Sequence, residues 1–150
     1  MKIHRSATLS AKHDAEINAL WNTEYPQKLT DRFALLLVDT KLVIHFYVLN
    51  QQDEIIAWSV LFEKDNDLRF SIIVSSNYKQ KGLGTALLTE MKKEGRAFSG
   101  WVIDHNHDLK ANGSNYLSPL SFYVKNGFTI DQSMRLDNEI IKAVLVRTNH

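Results

Sequence analysis

The sequence predicts an α/β fold of the α+β type, in which helices cover both faces of one mixed, mostly antiparallel sheet. Several runs rich in β-branched and aromatic residues are joined by short polar turns, which is typical of hairpins. Other segments carry apolar residues at spacings of three and four, which indicates helices with one buried face. At residues 72–88 an apolar run leads through two glycines into such a helix, so strand and helix alternate there.

The composition is that of an ordinary globular protein and excludes several classes of function. A length of 150 residues predicts a single domain over residues 1–150, with 44% hydrophobic and 23% charged residues. A net charge of only +1 predicts no nucleic-acid partner. No apolar run reaches the length of a membrane span and no signal-peptide pattern opens the chain, so we expect no membrane partner and a cytoplasmic location. Cysteine is absent, which excludes disulfides, thiolate metal sites and a cysteine acyl-enzyme.

Two helices are predicted before the first long strand. Ser10 can cap the first helix, whose apolar stripe includes Ile17 and Trp21. This helix should stop near Pro26, because residues before proline avoid the helical region. The nearly continuous apolar segment at residues 29–38 predicts a buried second helix, with a strand as the competing interpretation.

The centre of the chain predicts three antiparallel strands, then a helix, then a parallel strand. The strands are at residues 42–49, 54–62 and 68–74, with turns at 50–53 and 65–67. The helix runs from Gly82 to about residue 98, and Gly100 marks a stop before a buried strand at residues 101–104. A right-handed crossover makes this last strand parallel to the one at residues 68–74.

The final third predicts one short helix and one hairpin. Ser118 and Pro119 start the helix, and Asn126 and Gly127 end it. Strands at residues 128–136 and 140–148, joined by a turn at 137–139, form the hairpin. A homodimer through these last strands stays open as an alternative to a monomer.

The loop that leads into the central helix is a candidate anion site. A helix that starts near Gly82 presents unpaired main-chain amides and the positive end of its dipole. Gly82 and Gly84 have no side chain that would keep a phosphate from the backbone, and Lys79 and Lys81 add positive charge. Two interpretations remain open here, a phosphorylated ligand or a tight turn with solvated lysines. The spacings of a P-loop and of a dinucleotide fingerprint do not occur.

This loop resembles the coenzyme A loop of the GNAT superfamily of N-acetyltransferases. The match is Lys79-x-x-Gly82-x-Gly84 after a strand that reads Ile72-x-Val74. Lys79 stands where the family usually has arginine or glutamine, and Ser76 stands where many members have proline.

A second motif of the same family follows at the expected position. It is the aromatic pair Phe122-Tyr123, followed by Gly127-Phe128. The resemblance extends from about residue 3 to the C-terminus and implies a seven-stranded sheet with a central parallel strand pair.

The resemblance implies an acetyl-CoA-dependent N-acetyltransferase. The acetyl group would pass to a primary amine of a small molecule or peptide by direct attack, without a covalent acyl-enzyme. Acetyl-CoA would be the cosubstrate, and no metal is expected. In the family, loop amides hold the pyrophosphate and the pantetheine arm pairs with the preceding strand. The cofactor-binding residues carried over to this chain are Ile72, Ile73, Val74, Lys79, Gln80, Lys81, Gly82, Leu83, Gly84 and Thr85.

The resemblance also assigns one catalytic group. Tyr123 matches the family tyrosine that protonates the departing thiolate. A phenol with a reference pKa of about 10 is protonated at neutral pH, while a thiolate with a pKa of about 8.5 needs only a modest push. Without the resemblance, Tyr123 reads as a packed helix tyrosine.

The general base and the acceptor site are not assigned by any motif. Asp104 and Glu63 are our preferred bases, and Glu24, His105 and ordered water are the alternatives. The bend that contains Trp21, Glu24 and Tyr25, together with His105 in the long loop at residues 105–116, is predicted to bind the acceptor.

Two other functions stay open. One is an acyl-CoA-binding module that keeps the loop and has lost turnover. The other is a metal-dependent hydrolase that uses His105, His107 and the flanking carboxylates of Asp104 and Asp108, although a polar loop explains the same residues.

Overall fold

Within residues 1–79 and 81–148, which the computed structural model describes, seven strands form one sheet and four α-helices cover its two faces. The strands are, in chain order, β1 (His4–Ser6), β2 (Lys41–Leu49), β3 (Ile55–Lys64), β4 (Asp67–Val74), β5 (Ser99–Ile103), β6 (Thr129–Asp137) and β7 (Lys142–Arg147). The α-helices are α1 (Ala11–Glu24), α2 (Phe33–Leu36), α3 (Leu83–Lys92) and α4 (Leu120–Lys125). Short 3-10 helices occupy Gln27–Leu29 and Ser76–Tyr78.

The strand order places the two parallel strands in the middle of the sheet. The order is β1-β2-β3-β4-β5-β7-β6. Neighbouring strands are antiparallel except β4 and β5, which run parallel. The predicted fold class is therefore confirmed, including the seven strands and the central parallel pair that the resemblance implied. The strand not assigned from the residue pattern is β1, because three residues are too few to show alternation.

Each face of the sheet has its own apolar core. On one face, Leu83, Leu87 and Met91 of α3 pack with aromatic residues of α4 and the strands. On the other face, Ile17 of α1 and Phe33 of α2 pack against the inner strands. Full burial of a side chain such as Leu87 contributes about 1.5–3 kcal/mol. The sheet is therefore fixed from both sides, and a cleft can form only where two strands separate.

Helix α1 has the predicted bounds. Its cap is Ser10, whose hydroxyl oxygen accepts a hydrogen bond from the His13 amide at 3.1 Å. It ends at Glu24, directly before the Tyr25-Pro26 bend.

The buried helix predicted at residues 29–38 is wrong. Only Phe33–Leu36 is α-helical, and Leu35 and Val38 are more than half exposed. Asp31 has a φ of 62°, a left-handed conformation that interrupts a helix. The Asp31 amide donates to the Asn22 side chain at 2.8 Å, which holds the break against α1. The apolar run was misleading because its side chains divide between the core and the surface.

The central helix is also shorter than predicted. It ends at Lys92, and Gly95 with a φ of 78° turns the chain toward β5. Gly100 lies inside β5 and marks no stop. A Cβ atom at Gly100 would lie 2.6 Å from the Phe70 ring and 2.9 Å from the Phe70 carbonyl oxygen. The glycine is needed because β4 approaches it closely.

The C-terminal elements follow the prediction with shifted ends. Helix α4 begins one residue after Pro119, and the Ser118 hydroxyl oxygen accepts from the Leu120 amide at 3.2 Å. Gly127 ends this region with a φ of 87°. The last hairpin is shorter at both outer ends than predicted. No helix in residues 1–79 or 81–148 is long and apolar enough to cross a membrane.

Candidate active site

A cleft of about 960 Å³ is lined by residues of β4 and β5, where the two strands separate. The two parallel strands are joined at one position, Arg69 opposite Ser99. Among the described residues no further ladder pair links them, whereas β3 and β4 pair along their whole length. The predicted cofactor-binding residues Ile72, Ile73 and Val74 line this cleft.

The start of α3 forms one end of the cleft. Gly82 is the N-cap with a φ of 75°, and no side chain caps the helix. The first helical bond runs from the Ala86 amide to the Gly82 carbonyl at 3.0 Å. The amides of residues 83–85 therefore have no hydrogen-bond partner in the described part of the chain. Such a helix start attracts anions.

Most of the predicted loop residues lie at this end. Lys79 and the four residues Gly82, Leu83, Gly84 and Thr85 line the cleft. Lys81 is exposed and lies outside the described lining. Gln80 lies outside the described residues.

Gly84 connects the helix start to the second motif. A Cβ atom at Gly84 would lie 2.9 Å from Cζ of Phe122. The absence of a side chain thus makes room for the aromatic pair of α4, in addition to any ligand above the backbone. The two motifs, distant in sequence, are in direct contact.

Tyr123 lines the same cleft. Its side chain is buried, and its ring packs edge-on against Phe70 at 5.5 Å and Phe128 at 5.3 Å between centroids. Burial raises the pKa of the Tyr123 phenol well above its ordinary value of 10.0, and the nearby phenols of Tyr25 and Tyr116 raise it further. The Tyr123 hydroxyl makes no hydrogen bond within the described residues, so it is free to donate one to a ligand.

An anchor on β5 orients the helix that carries Tyr123. The Ser118 hydroxyl donates to the Ile103 carbonyl oxygen at 2.5 Å. Because Ile103 is the last residue of β5, this bond fixes the start of α4 at the point where the strands are apart.

The predicted acceptor residues of the Tyr25-Pro26 bend form the other end of the cleft. The Tyr25 hydroxyl lies 3.1 Å from both the Ile72 carbonyl oxygen and the Ser71 hydroxyl. Burial raises the pKa of Tyr25 to about 12. Trp21 packs edge-on against Tyr25 with centroids 4.6 Å apart. The cleft thus brings Trp21 and Tyr25 together with Tyr123.

Glu24 lines the cleft as a buried, fully engaged carboxylate. It accepts hydrogen bonds from the Ser76 amide at 2.9 Å and the Ser76 hydroxyl at 2.6 Å. The ammonium groups of Lys110 and Lys79 lie 3.4 Å and 3.8 Å away. Burial alone would raise the pKa of Glu24, but these four contacts outweigh it and hold the pKa below its ordinary value. Glu24 is therefore a weak base.

The two preferred base candidates lie away from the cleft lining. Asp104 is bound by Arg135 at 2.8 Å, and this hydrogen bond holds the pKa of Asp104 below its ordinary value. Glu63 faces Arg96 at 3.4 Å. Among the described lining residues neither carboxylate appears. Sequence reasoning placed them near strand ends, but which neighbour each would meet depends on the tertiary structure.

The predicted histidine loop follows β5. The rings of His105 and His107 are stacked with centroids 5.4 Å apart, and Asp108 lies 3.7 Å from His105. Within the described residues, no group of three or more metal-ligating side chains is present. His105 is not among the described residues that line the cleft.

Several lining residues were not singled out from the sequence. Tyr116 was noted only as the end of the long loop, and its ring lies 6.2 Å from that of Tyr25. Arg32, Lys64 and Arg69 line the same region. A polar residue inside an apolar strand, as at Arg69, is the signal that could have indicated one of them.

Comparisons with known proteins agree with this geometry. The family model described as "Acetyltransferase (GNAT) domain" matches residues 43–130. Comparison with curated proteins finds no significant match.

Solved structures share the fold over nearly the whole chain. Escherichia coli ElaA superposes with a TM-score of 0.72 at 12% identity, covering 99% of this chain and 100% of that chain. The aminoglycoside 6'-N-acetyltransferase from Enterococcus faecium superposes with a TM-score of 0.70 at 15% identity, covering 99% of this chain and 96% of that chain. A spermidine N-acetyltransferase variant from Vibrio cholerae superposes with a TM-score of 0.62 at 15% identity, covering 99% of this chain and 94% of that chain. At these identities the likeness shows the fold alone.

The matched segment covers more than half of the chain and contains both motifs that meet in the cleft. On this match, the chain belongs to the GNAT family of acetyltransferases.

Proposed function

We propose that this protein is an acetyl-CoA-dependent N-acetyltransferase that acts on a primary amine of a small molecule or peptide by direct attack. The observation that carries the proposal is one continuous cleft. It joins the uncapped start of α3 to Tyr123, and Tyr123 to the aromatic end at Trp21 and Tyr25.

The coenzyme would bind along the β4 side of the cleft. Its pyrophosphate would rest on the amides of residues 83–85, with Lys79 and Lys81 nearby and Gln80 as a further predicted contact. Its pantetheine arm would lie against Ile72, Ile73 and Val74, where β4 lacks a partner strand toward β5 among the described residues. This arrangement would bring the thioester toward Tyr123.

The transfer needs one bond made and one broken. The neutral amine nitrogen attacks the thioester carbonyl carbon, the carbon–sulfur bond breaks, and the nitrogen loses one N–H proton to solvent as the amide forms. Tyr123 would donate a proton to the leaving thiolate. Because its pKa is raised by burial, the phenol is protonated at every physiological pH. Holding the amine beside the thioester can itself lower the barrier by about 7 kcal/mol or more.

The proton of the attacking ammonium needs an acceptor. Asp104 and Glu63 stay predictions as bases, but both are ion-paired outside the described lining of the cleft, and Glu24 has a lowered pKa. The geometry favours loss of this proton to water before attack. An amine with a pKa of about 10 then reacts through its small neutral fraction.

Three further properties belong to the same proposal. The chain acts as one domain over residues 1–150 in the cytoplasm, with the absence of cysteine in accord with a reducing compartment. Strand β6 is at one edge of the sheet, so β6 and β7 would supply the surface if the protein forms a homodimer.

A thermal-shift screen with acetyl-CoA, longer acyl-CoAs, free CoA and NAD tests the ligand class. We expect selective stabilisation by the coenzyme A compounds, because mass action stabilises a protein that binds its ligand only when folded. Equal shifts with NAD, or no shift with any, would contradict the proposal.

Release of free thiol from acetyl-CoA in the presence of an amine panel tests turnover. Release that depends on the amine is expected of the enzyme. Binding of acetyl-CoA with no release would instead identify an acyl-CoA-binding module.

A further inference from the structure

Cationic side chains outnumber carboxylates in the described lining of the cleft. The described residues that line the whole cleft include the cations Arg32, Lys64, Arg69 and Lys79, and one carboxylate, Glu24. Glu24 is already neutralised by Lys79 and Lys110. Three cations, Arg32, Lys64 and Arg69, remain without a carboxylate among the described lining residues.

Arg69 points to the acceptor side of the sheet. Side chains alternate along β4, so Arg69, Ser71 and Ile73 point to one face, and Ile73 belongs to the core beneath α1 and α2. Ser71 is in contact with the Tyr25 hydroxyl on that same face. Arg69 therefore lies two residues before the site where the Tyr25 bend meets the strand.

The Arg69 guanidinium is held in place and keeps free donors. Its side chain is only 15% exposed, and it donates to the Ser99 hydroxyl. It lies 6.0 Å from the Trp101 ring centroid, and the exposed Asp67 carboxylate is 3.4 Å away at the rim. A guanidinium has five N–H donors, so a second planar anion can still bind to the Arg69 fork.

The other two cations have no partner at all within the described chain. Neither the Arg32 nor the Lys64 side chain makes a hydrogen bond or ion pair among residues 1–79 and 81–148. The walls between them and Tyr123 are aromatic or apolar and include Phe62, Trp101 and Leu36. Lys64 is exposed and Arg32 is partly exposed, so both charges are available to an anionic ligand in the cleft.

We propose that the acceptor is a primary amine with an aromatic or apolar body that also bears an anionic group, a carboxylate or phosphate, bound by Arg32, Lys64 and Arg69. The inference rests on the proposed function. The amine would face the thioester near Tyr123, the body would contact the aromatic walls, and the anion would bind at the three cations. Polycationic amines would be repelled by the same charges.

Acceptors built on one parent amine test this inference. Phenethylamine is the neutral parent. L-phenylalanine adds a carboxylate next to the amine, 4-(2-aminoethyl)benzoate adds one at the far end, and O-phosphotyramine adds a phosphate there. Spermidine is the cationic comparison. We expect kcat/KM for at least one anionic compound to exceed that of phenethylamine about tenfold or more. Of 4-(2-aminoethyl)benzoate and O-phosphotyramine, the compound with the higher kcat/KM shows whether the site prefers a carboxylate or a phosphate.

Single variants assign the preference to the cations. Lys64→Gln and Arg32→Gln should each lower kcat/KM for the preferred anionic amine about three- to tenfold more than kcat/KM for phenethylamine. Arg69→Gln should lower kcat/KM for the anionic amine most. Because Arg69 also contacts Ser99, the melting temperature of this variant is measured to detect a loss of stability. Lys41→Gln is the matched control, since Lys41 is an exposed lysine on the neighbouring strand outside the described lining.

The possible outcomes distinguish failure of the anionic-acceptor inference from failure of the proposed acetyltransferase function. Calorimetric titration of the same compounds into the protein, with and without bound CoA, measures the preference even where turnover is slow. If acetyl-CoA is consumed but neutral or cationic amines are preferred, or if the anionic amines neither bind nor react, the inference is wrong and the transferase survives. If acetyl-CoA neither binds nor reacts while the anionic amines bind, the proposed function fails and the anion site stands.

Discussion

At the scale of single residues, the chemistry of Tyr123 depends on where its ring is buried. Its phenol is surrounded by Phe70, Phe122 and Phe128, and no described group accepts its proton. A spacing in the sequence predicted a catalytic role for this tyrosine, but only the packing of α4 against β4 brings its ring into the cleft. The same spacing could not identify a base, because the environments of Asp104 and Glu63 come from distant parts of the chain.

Replacing Tyr123 by phenylalanine should lower kcat about 10- to 100-fold, because the thiolate then leaves without a proton donor. The fold should be retained, since only a hydroxyl without a partner in the described chain is removed. Tyr47→Phe is the control, because it removes a phenol from β2 outside the described lining of the cleft. Steady-state release of thiol from acetyl-CoA measures kcat for the Tyr123→Phe and Tyr47→Phe variants. Full activity in Tyr123→Phe would exclude the phenol as the proton donor.

The pH dependence of turnover should reflect the acceptor amine and not an enzyme carboxylate. The pKa values of Glu24 and Asp104 are lowered, so both are already ionised at neutral pH, and Tyr123 with its raised pKa keeps its proton. We expect kcat/KM to rise about tenfold per pH unit from about pH 6 until the amine pKa is reached. With a second acceptor of lower amine pKa, the pH at which the kcat/KM profile levels off should fall by the same number of pH units. A profile that levels off at the same pH for every acceptor would instead indicate a base in the protein.

At the scale of elements, the close approach of β4 and β5 at Gly100 limits where the strands can separate. The Phe70 carbonyl oxygen and ring occupy the space that a Cβ atom would need. Residue patterns indicated the type and order of most elements, because alternation and helical periodicity are local properties. They gave the wrong extent at residues 29–38 and beyond Lys92, where left-handed Asp31 and Gly95 turn the chain.

Gly100→Ala should destabilise the protein by about 1–3 kcal/mol, because the backbone of Phe70 cannot move aside without disturbing β4. Gly84→Ala is the contrasting variant. Its new Cβ atom meets Cζ, the far end of the Phe122 side chain, which a small change in χ1 can displace, and alanine favours a helix by about 0.5–1 kcal/mol. Urea unfolding should therefore rank Gly100→Ala well below Gly84→Ala in stability. An equal loss in both variants would contradict this account of Gly100.

At the scale of the whole molecule, Glu24 joins three distant segments. Its carboxylate connects the end of α1 to Ser76 after β4 and to Lys110 in the long loop. Main-chain bonds strengthen the same junction, since the Gln27 amide donates to the Leu109 carbonyl oxygen at 2.7 Å. The acceptor end of the cleft is assembled by these contacts.

Glu24→Gln should lower the free energy of unfolding by about 1–3 kcal/mol at pH 7, because two ammonium groups and the Ser76 donors lose their anion. The folded pKa of Glu24 lies below the ordinary value of 4.5, so its stabilisation is present above pH 4.5 and is lost as the pH falls through the folded pKa. The difference between the two proteins should therefore shrink as the pH is lowered from 4.5.

Urea unfolding at several pH values between 7 and 3 measures this difference. Glu94→Gln is the control, because it breaks an exposed ion pair with Arg5 and should cost less than about 1 kcal/mol. A difference between wild type and Glu24→Gln that does not depend on pH would show that the charge of Glu24 contributes nothing.

The sequence by itself determined the fold class and the order of most elements, and it predicted a coenzyme loop and a catalytic role for Tyr123. Periodicity, glycine positions and motif spacing are local, and they are readable without knowing what lies opposite. The tertiary structure decided which side chains share the cleft, because burial and charge pairing depend on residues far apart in the chain. It removed Asp104 and Glu63 from the described lining, engaged Glu24 with Ser76 and two lysines, and left Arg32 and Lys64 unpaired within the described residues beside Arg69.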